Sequence, residues 1–346
     1  MPEQVPGVDA EALRRWLDTL DLDVTGGLSF QRIGLGQSNL TYRVSDDASQ
    51  SWVLRRPPLG QLLASAHDVV REARIIAALA GTDVPVPRIL GVTTDSEFTD
   101  VPLVLMEFVD GLVIDTQEIA EALTPEQRRR TALSLPHTLA KIHAVDLAAV
   151  GLQDLASHKP YALRQLKRWA GQWELSKTRE VPELDDLTRR LRACVPQQRE
   201  ISLVHGDFHL RNLITSRVAG EVVATLDWEL STLGDPLADM GSLLTYWLEP
   251  GETTSADYEP TTLPGFPDRA EMTRRYLDET GRDPAAVQFW HVLGLWKLAI
   301  IAEGVMRRAM DEPLNKAAAG TPTTTRIDAI VRMACKIADS AGISDS

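Results

Sequence analysis

Apolar and polar positions alternate with a period of two over much of the first third of the chain. The stretch LSFQRIGLGQSNLTYRVSDDASQSWVLRRPP, residues 28–58, alternates in this way and is punctuated by glycines, which predicts two or three antiparallel strands. A short amphipathic helix capped by Asp9 precedes it. The stretch SAHDVVREARIIAALAG, residues 65–81, has helical spacing, and VPLVLMEFVDG, residues 101–111, is a compact apolar strand. The order strand, strand, helix, strand therefore predicts a small mixed α and β part.

The hydrophobic period changes to that of helices from about residue 124. Between the helical stretches lie two strand-like pieces, residues 201–215 and 221–236, joined at a turn, and EPGETTSADYEPTTLPGFP, residues 249–267, is predicted to be an exposed loop. We predict an α+β protein with a nucleotide-binding part at residues 1–108 and a larger, mostly helical part at residues 109–346. The helical stretches are PEQRRRTALSLPHTLAKIHAV, YALRQLKRWAGQWE, PELDDLTRRLRACV, AEMTRRYLDETG and FWHVLGLWKLAIIAEGVMRRAM.

Composition narrows the possible partners. The net charge is −13 without a long basic tract, which disfavours nucleic acids and anionic membranes as partners. Cys194 and Cys335 are too few for a disulfide framework and fit a reducing cytoplasm. The longest apolar run, VLGLWKLAIIA, is interrupted by Lys297 and is too short to cross a bilayer, and the N-terminus does not resemble a secretory signal. We expect a cytoplasmic protein.

Three polar residues in the second strand pair suggest chemistry. Asp207 is followed by Asn212 five positions later, and Asp227 ends the next strand. Phosphoryl transfer of the protein-kinase type uses such a set: a carboxylate that orients and deprotonates an acceptor hydroxyl, and an amide and a second carboxylate that hold Mg²⁺ on the nucleotide phosphates. We expect the hairpin to bring the three side chains to one cleft.

The motifs that carry these residues resemble a known family. HGDFHLRNL, residues 205–213, followed by LDWELSTLGDPLADMG, residues 226–241, is similar to the aminoglycoside phosphotransferase and choline kinase-like small-molecule kinases. Together with WVLRRPPLGQLLASAHDVVREARIIAAL and YALRQLKRWAGQWELSKTRE, it most resembles the branch associated with acyl-CoA dehydrogenases. The resemblance covers roughly residues 29–310 and implies a protein-kinase-like fold of two lobes.

The resemblance also implies roles for individual residues. Asp207 corresponds to the catalytic base, and Asn212 and Asp227 correspond to the metal ligands. His205 would brace the catalytic loop, and Asp235 would stabilise that loop from the adjoining helix. The implied cofactors are ATP, with GTP as an alternative, and Mg²⁺, and the implied partner is a small-molecule alcohol.

The family's nucleotide site is only partly matched by its usual residue types. In GLGQSNLTY, the residues Gly36, Gln37 and Ser38 would offer backbone N–H groups to phosphate oxygens, although two glycines fall short of the full glycine-rich pattern. Many relatives carry a strand lysine paired with a helix glutamate. Strand alternation assigns that position to Arg55 rather than to Arg56, with Glu72 as its partner, and arginine can make the same bridge. The backbone that would contact adenine belongs to Glu107, Phe108 and Val109.

Several alternatives remain open at the level of sequence. His205, Asp207 and His209 alternate as ligands of a hydrolase metal would, and Asp207 and Asn212 could instead cap a turn. A nucleotide-binding pseudokinase or scaffold is the alternative function. A protein kinase is disfavoured, because the loop has His-Gly-Asp and no Ala-Pro-Glu segment follows. The acceptor is either a hydroxyacyl-CoA, whose anionic part the basic run Lys159 to Arg168 would contact, or an aminoglycoside.

Overall fold

The computed structural model describes residues 5–34, 39–59, 68–252, 259–311 and 321–345. The chain forms two compact units. The first comprises Met1–Asp110 and Val223–Glu229, and the second comprises Gly111–Val222 and Leu230–Ser346. The returning segment Val223–Glu229 carries Asp227, so this part of the predicted site belongs to the first unit.

The first unit is built on a five-stranded antiparallel sheet. Its strands are ordered β1-β2-β3-β5-β4, and each neighbouring pair is antiparallel. Two helices accompany the sheet. The elements are α1 Ala10–Asp18, β1 Leu28–Ile33, β2 Leu40–Asp46, β3 Ser51–Arg56, α2 Val69–Leu79, β4 Ile89–Thr93 and β5 Leu103–Glu107.

Alternation along β3 sends its side chains to two different helices. Trp52 and Leu54 join the core cluster that contains Trp16 of α1, whereas Val53 packs against the cluster that contains Val69 of α2. Arg55 lies two residues after Val53, on the same face of β3, and therefore points toward α2. The period of the strand thus selects which of two adjacent arginines meets the helix that carries Glu72.

The second unit is mostly helical. α9 lies at its centre and packs against α5, α6, α7 and α10, while α4 packs against α8. A short antiparallel pair, β6 with β9, supports the loop that contains Asp207. The elements are α3 Gln117–Ala122, α4 Pro125–His143, α5 Tyr161–Ser176, α6 Pro182–Ala193, β6 Ser202–Val204, β7 Leu213–Thr215, β8 Val222–Thr225, β9 Thr232–Gly234, α7 Leu237–Thr245, α8 Arg269–Thr280, α9 Val287–Asp311 and α10 Thr324–Ser340, with β8 running across the boundary between the units.

The apolar composition of α9 serves the core of this unit. The stretch Pro284–Asp311 is long and apolar enough to span a membrane by composition, but most of its apolar window is buried inside the protein. Trp290 and Trp296 are both buried. Such burial is the environment of a core helix.

The architecture agrees with the predicted class, and α3, β4 and α10 have no counterpart among the predicted helices and strands. β4 begins at Ile89, inside the proline-rich VPVPRILG, whose prolines obscure a strand. The helix α4 continues through Pro136. Of the predicted exposed loop, residues 253–258 lie outside the described residues, and Pro260 and Thr261 in its second half are buried.

The contact between α7 and α9 depends on a glycine. A Cβ atom on Gly241 would lie 2.5 Å from both the carbonyl carbon and oxygen of Trp290. We therefore expect Gly241→Ala to lower the free energy of unfolding by about 1–3 kcal/mol through overpacking, measured by urea denaturation. Gly171→Ala on α5, where a Cβ meets nothing within 4 Å, is the control and should be neutral or stabilising. Equal effects of the two changes would contradict this account of the contact.

Candidate functional site

In the first unit, Arg55 joins two carboxylates. One guanidinium nitrogen lies 2.9 Å from Glu72 Oε1, and another lies 3.1 Å from Asp227 Oδ1. Arg56 points away and donates to the backbone oxygens of Pro57 and Gly7. The planar fork of arginine suits this double contact, which the single ammonium of a lysine would make less specifically.

The surroundings of Glu72 and Asp227 are unusual. Burial raises the pKa of Glu72 to about 7, with Arg55 opposing the shift and Asp227 adding to it. Trp228 N donates to Glu72 Oε1 at 3.2 Å, which ties the helix to the segment that carries Asp227. Asp227 itself has φ of 64°, a left-handed conformation that non-glycine residues adopt at some cost and that recurs at functional sites.

Of the other residues predicted to contact the nucleotide, the structure describes those predicted to meet adenine but not those predicted to meet phosphate. Glu107 is the last residue of β5, and Phe108 and Val109 follow it as half-buried residues beyond the sheet pairing. The Phe108 ring lies 4.3 Å below the Arg43 guanidinium. The predicted phosphate loop, Gly36, Gln37 and Ser38, lies outside the described residues.

In the second unit, Asp239 of α7 holds the loop that leads to Asp207. Its carboxylate accepts the backbone N–H of His205 at 2.7 Å and that of Gly206 at 2.8 Å. The sequence assigned this task to Asp235, four residues earlier. Asp235 instead accepts Leu237 N at 3.0 Å at the start of α7, so the predicted role belongs to Asp239.

A buried series of side-chain hydrogen bonds links Asp239 to His143 and Tyr276. Asp239 Oδ2 lies 3.1 Å from His143 Nε2, and His143 Nδ1 lies 2.7 Å from the Tyr276 hydroxyl. Burial lowers the pKa of His143, so the ring is neutral. Because Asp239 can only accept, Nε2 carries the proton and Nδ1 accepts the Tyr276 O–H. All three side chains are buried, and the series fixes the orientation of the Asp239 carboxylate.

Asp207 is held as an anion. Burial alone would raise the pKa of Asp207, but His209, Lys297 and His205 outweigh this effect and lower the pKa to about 2. His209 Nε2 lies 3.4 Å from its Oδ2, and His205 Nδ1 accepts the Asp207 backbone N–H at 3.3 Å. His205 thus lies in the position of the predicted brace. An ionised carboxylate accepts a hydrogen bond from a hydroxyl, and with so low a pKa it is a weak base that takes the proton only as the hydroxyl oxygen reacts.

Asn212 contacts Asp207 as the motif spacing predicts. Its Nδ2 donates to Asp207 O at 2.9 Å and to Asp207 Oδ2 at 3.1 Å. The amide nitrogen is therefore engaged, which leaves Oδ1 for a cation. In the first unit, Arg55 contacts Oδ1 of Asp227 and leaves Oδ2. Amide and carboxylate oxygens are the ligands that Mg²⁺ prefers, so each of the two residues, within its own unit, presents an oxygen of a type that fits this ion.

Other metal chemistry has little support. Over the described ranges, no group of three or more His, Cys, Asp or Glu side chains could hold a metal ion. This finding disfavours the hydrolase alternative for His205, Asp207 and His209. The His209 ring instead packs 4.4 Å from the Tyr246 ring, beside Asp207.

A cavity of about 260 Å³ opens beside Asp207 within the second unit. Trp290, Leu293 and Ile301 contribute an apolar wall, and Lys297 of α9 contributes a cation. The Lys297 ammonium lies 3.4 Å from Gly206 O and 5.5 Å from the centre of the Trp169 ring. In the sequence, Lys297 stands out only as an interruption of an apolar run. Its isolation among apolar residues was the available sign that it serves a site.

Comparison with known proteins places these features in a family. Residues 29–291 match the model of the phosphotransferase enzyme family. The chain is 36% identical over 318 residues to acyl-CoA dehydrogenase family member 10 of Mus musculus, covering 90% of this chain and 30% of that protein. It is 34% identical over 290 residues to acyl-CoA dehydrogenase family member 11 of Rattus norvegicus, covering 79% of this chain and 35% of that protein. The chain thus spans about a third of the length of these relatives.

Solved structures show the same fold. A Ralstonia eutropha protein assigned as an aminoglycoside phosphotransferase is 31% identical, with a TM-score of 0.78 over 96% of this chain and 98% of that one. A thermostable mutant of the aminoglycoside phosphotransferase APH(4)-Ia, in complex with ADP and hygromycin B, is 16% identical with a TM-score of 0.58 over 92% and 97%. The chain has the kinase-like fold of these proteins, with a small antiparallel sheet and a mostly helical remainder.

Measurements of the free energy of unfolding can test whether Asp239, rather than Asp235, holds the loop that leads to Asp207. Asp239→Asn places an amide NH₂ against buried backbone N–H groups, and we expect the free energy of unfolding to fall by about 3 kcal/mol. Asp235→Asn keeps an acceptor for Leu237 N and should cost less than about 1 kcal/mol. Urea denaturation of both variants compares the two. Equal losses, or a larger loss for Asp235→Asn, would count against the role of Asp239.

The buried Glu72 carboxyl predicts a pH dependence of stability. Its pKa is about 7 in the folded chain against an ordinary value of 4.5, so the folded state holds this proton more tightly. The contribution of Glu72 to the free energy of unfolding is therefore present below pH 4.5 and decreases as the pH rises to about 7. Urea midpoints of the wild type and Glu72→Gln across this range should show that the variant lacks this decrease. Parallel pH profiles would refute the prediction.

Proposed function

The chain belongs to the phosphotransferase enzyme family, and we propose that it is a small-molecule kinase that transfers the γ-phosphoryl group of ATP to an alcohol. One observation carries the proposal. Asp207 is an ionised carboxylate on a loop fixed by Asp239, and it lines a cavity of about 260 Å³ that can admit a small acceptor. A nucleotide-binding scaffold has no need of such a group.

In the proposed reaction, Asp207 orients the acceptor hydroxyl and takes its proton. The hydroxyl oxygen forms a bond to the γ-phosphorus while the bond from that phosphorus to the bridging oxygen of ADP breaks. His209 and Lys297 keep Asp207 ionised before the transfer, and Asn212 fixes the position of its Oδ2. The chain's own part in this step is positioning and proton acceptance.

The first unit would bind the nucleotide. Arg55 offers a guanidinium, held by Glu72, to the phosphates, and the backbone of Glu107 to Val109 would contact adenine. As the resemblance of their motifs implies, Asn212 and Asp227 are the proposed ligands of Mg²⁺, which would offset the negative charge of the phosphate oxygens. ADP is bound in the APH(4)-Ia structure and GDP in that of aminoglycoside 2'-phosphotransferase-IIIa, so ATP is the proposed donor and GTP its alternative.

We favour a hydroxyacyl-CoA as the acceptor. The named relatives combine a region similar to this chain with a longer protein called an acyl-CoA dehydrogenase. On or just before α5, Lys159, Lys167 and Arg168 are exposed and could contact an anionic CoA, whereas Arg164 is occupied with Leu233 O and the Tyr161 ring. An aminoglycoside is the second candidate, because a structural neighbour binds hygromycin B.

The central test of catalysis is Asp207→Ala. We expect turnover to fall by about 10²- to 10⁴-fold or more, because the proton acceptor is lost, while the affinity for Mg-ATP stays nearly unchanged. A coupled ADP-release assay against hydroxyacyl-CoA and aminoglycoside panels measures the first, and titration calorimetry measures the second. Asp154→Ala, at an exposed carboxylate, is the matched control. Turnover at the wild-type rate by Asp207→Ala would exclude the proposed base and favour the pseudokinase alternative.

A further inference from the structure

Among the described residues, one cationic side chain lines the cavity beside Asp207. The charged side chains that line it are Asp207, Asp239 and Lys297. Asp239 is fully engaged, since it accepts from His143, His205 N and Gly206 N. Asp207 is the candidate base. Of the described residues that line the cavity, Lys297 is the one cation, and beyond its effect on the pKa of Asp207 its ammonium has no assigned ionic partner.

The donors of Lys297 are only partly used. Among the residues that the structure describes, its ammonium makes one hydrogen bond, to Gly206 O, which is long at 3.4 Å, and its other close neighbour is the face of Trp169. Within the part of the chain that the structure describes, no carboxylate oxygen lies close enough to the Lys297 ammonium, 4.0 Å or less, to form an ion pair. A lysine ammonium has three donors, and a partly buried one gains free energy from each oxygen that it meets.

We propose that Lys297 is a specificity-determining residue that binds an oxygen of the acceptor while the acceptor hydroxyl meets Asp207. The inference rests on the proposed function and extends it to the part of the acceptor next to the transferred group. The acceptor would carry a carbonyl or carboxylate oxygen at one end, a hydroxyl at the other and an aliphatic portion between them. Leu293, Leu298 and Ile301 line the cavity and provide an apolar surface for that portion.

The same arrangement disfavours cationic acceptors. An amine placed at Lys297 would face a like charge in a partly desolvated cavity, where charge repulsion is weakly screened. The carboxylate that could compensate, Asp239, accepts bonds from three other groups. Aminosugars would therefore bind poorly next to Asp207, whatever groups they meet elsewhere.

Equilibrium binding of matched probes tests the proposal without requiring turnover. The probes are ω-hydroxy carboxylates with about three to five methylenes and amino alcohols of the same length, titrated calorimetrically into the full chain. We expect the wild type to bind the carboxylates and to bind the amino alcohols more weakly. Lys297→Met should weaken carboxylate binding by about 10- to 100-fold without weakening amino alcohol binding, since it removes a charged hydrogen bond.

Three further variants separate recognition from folding. Lys297→Arg should restore a large part of the carboxylate affinity, and Lys297→Glu should reverse the preference between the two probes. Lys336→Met, at an exposed position on α10, is the control and should bind as the wild type does. A merely structural lysine would lower the affinity for both probes together and would not allow the preference to reverse.

The outcomes keep this inference distinct from the proposed function. Absence of carboxylate binding by the wild type, or equal losses for both probes in Lys297→Met, would overturn the role of Lys297. Lys297-dependent binding in a protein that shows no phosphoryl transfer would support the recognition site and reject the proposed catalysis. Phosphoryl transfer to acyl thioesters, together with a Lys297→Met variant that still prefers carboxylates over amino alcohols, would support the proposed catalysis and reject the recognition role of Lys297.

Discussion

Two hydrogen bonds to one buried carboxylate determine the geometry on which the candidate chemistry depends. Asp239 accepts the backbone N–H groups of His205 and Gly206, and these residues directly precede Asp207. The carboxylate is completely buried, so its charge must be compensated within the protein. His143 contributes one of the compensating contacts, and the Tyr276 hydroxyl fixes the His143 ring. Asp207 therefore owes its position to side chains that take no part in the proposed proton transfer.

Electrostatics differ between the two parts of the candidate site. In the first unit, one arginine lies between two carboxylates, and the burial of Glu72 is severe enough to bring its pKa near neutrality. In the second unit, His209, Lys297 and His205 hold the pKa of Asp207 well below its ordinary value. These opposite shifts suit different tasks. A rigid cationic fork is suited to phosphate, and an ionised carboxylate with a nearby cavity is suited to a hydroxyl.

Much of this arrangement could be predicted from local sequence. The strand period selected Arg55 over Arg56, because successive side chains on β3 point to opposite faces and only one face meets α2. The five-residue spacing of Asp207 and Asn212 likewise placed an amide against a carboxylate. Both inferences concern residues whose relation is fixed within a strand or a short loop.

The features that escaped prediction depend on tertiary register. Asp235 and Asp239 are four residues apart, and the sequence could not show which of them begins α7 and which lies one turn inside it. His143 and Tyr276 lie on α4 and α8, so no motif could connect them. Lys297 interrupts an apolar pattern, but periodicity could not indicate that its side chain lines the cavity beside Asp207. These relations arise from how helices pack, which the local pattern does not encode.

The most direct measurement of the central claim is phosphorus NMR of the purified chain with Mg-ATP and a hydroxyacyl-CoA panel. The account predicts that the γ-phosphate signal is replaced by a phosphate monoester signal in equal amount to the ADP formed, and that both products form at least about 10²-fold more slowly with Asp207→Ala. ADP formed together with inorganic phosphate alone, or no change with either the acyl or the aminoglycoside panel, would contradict the assignment of this site as a small-molecule phosphotransferase.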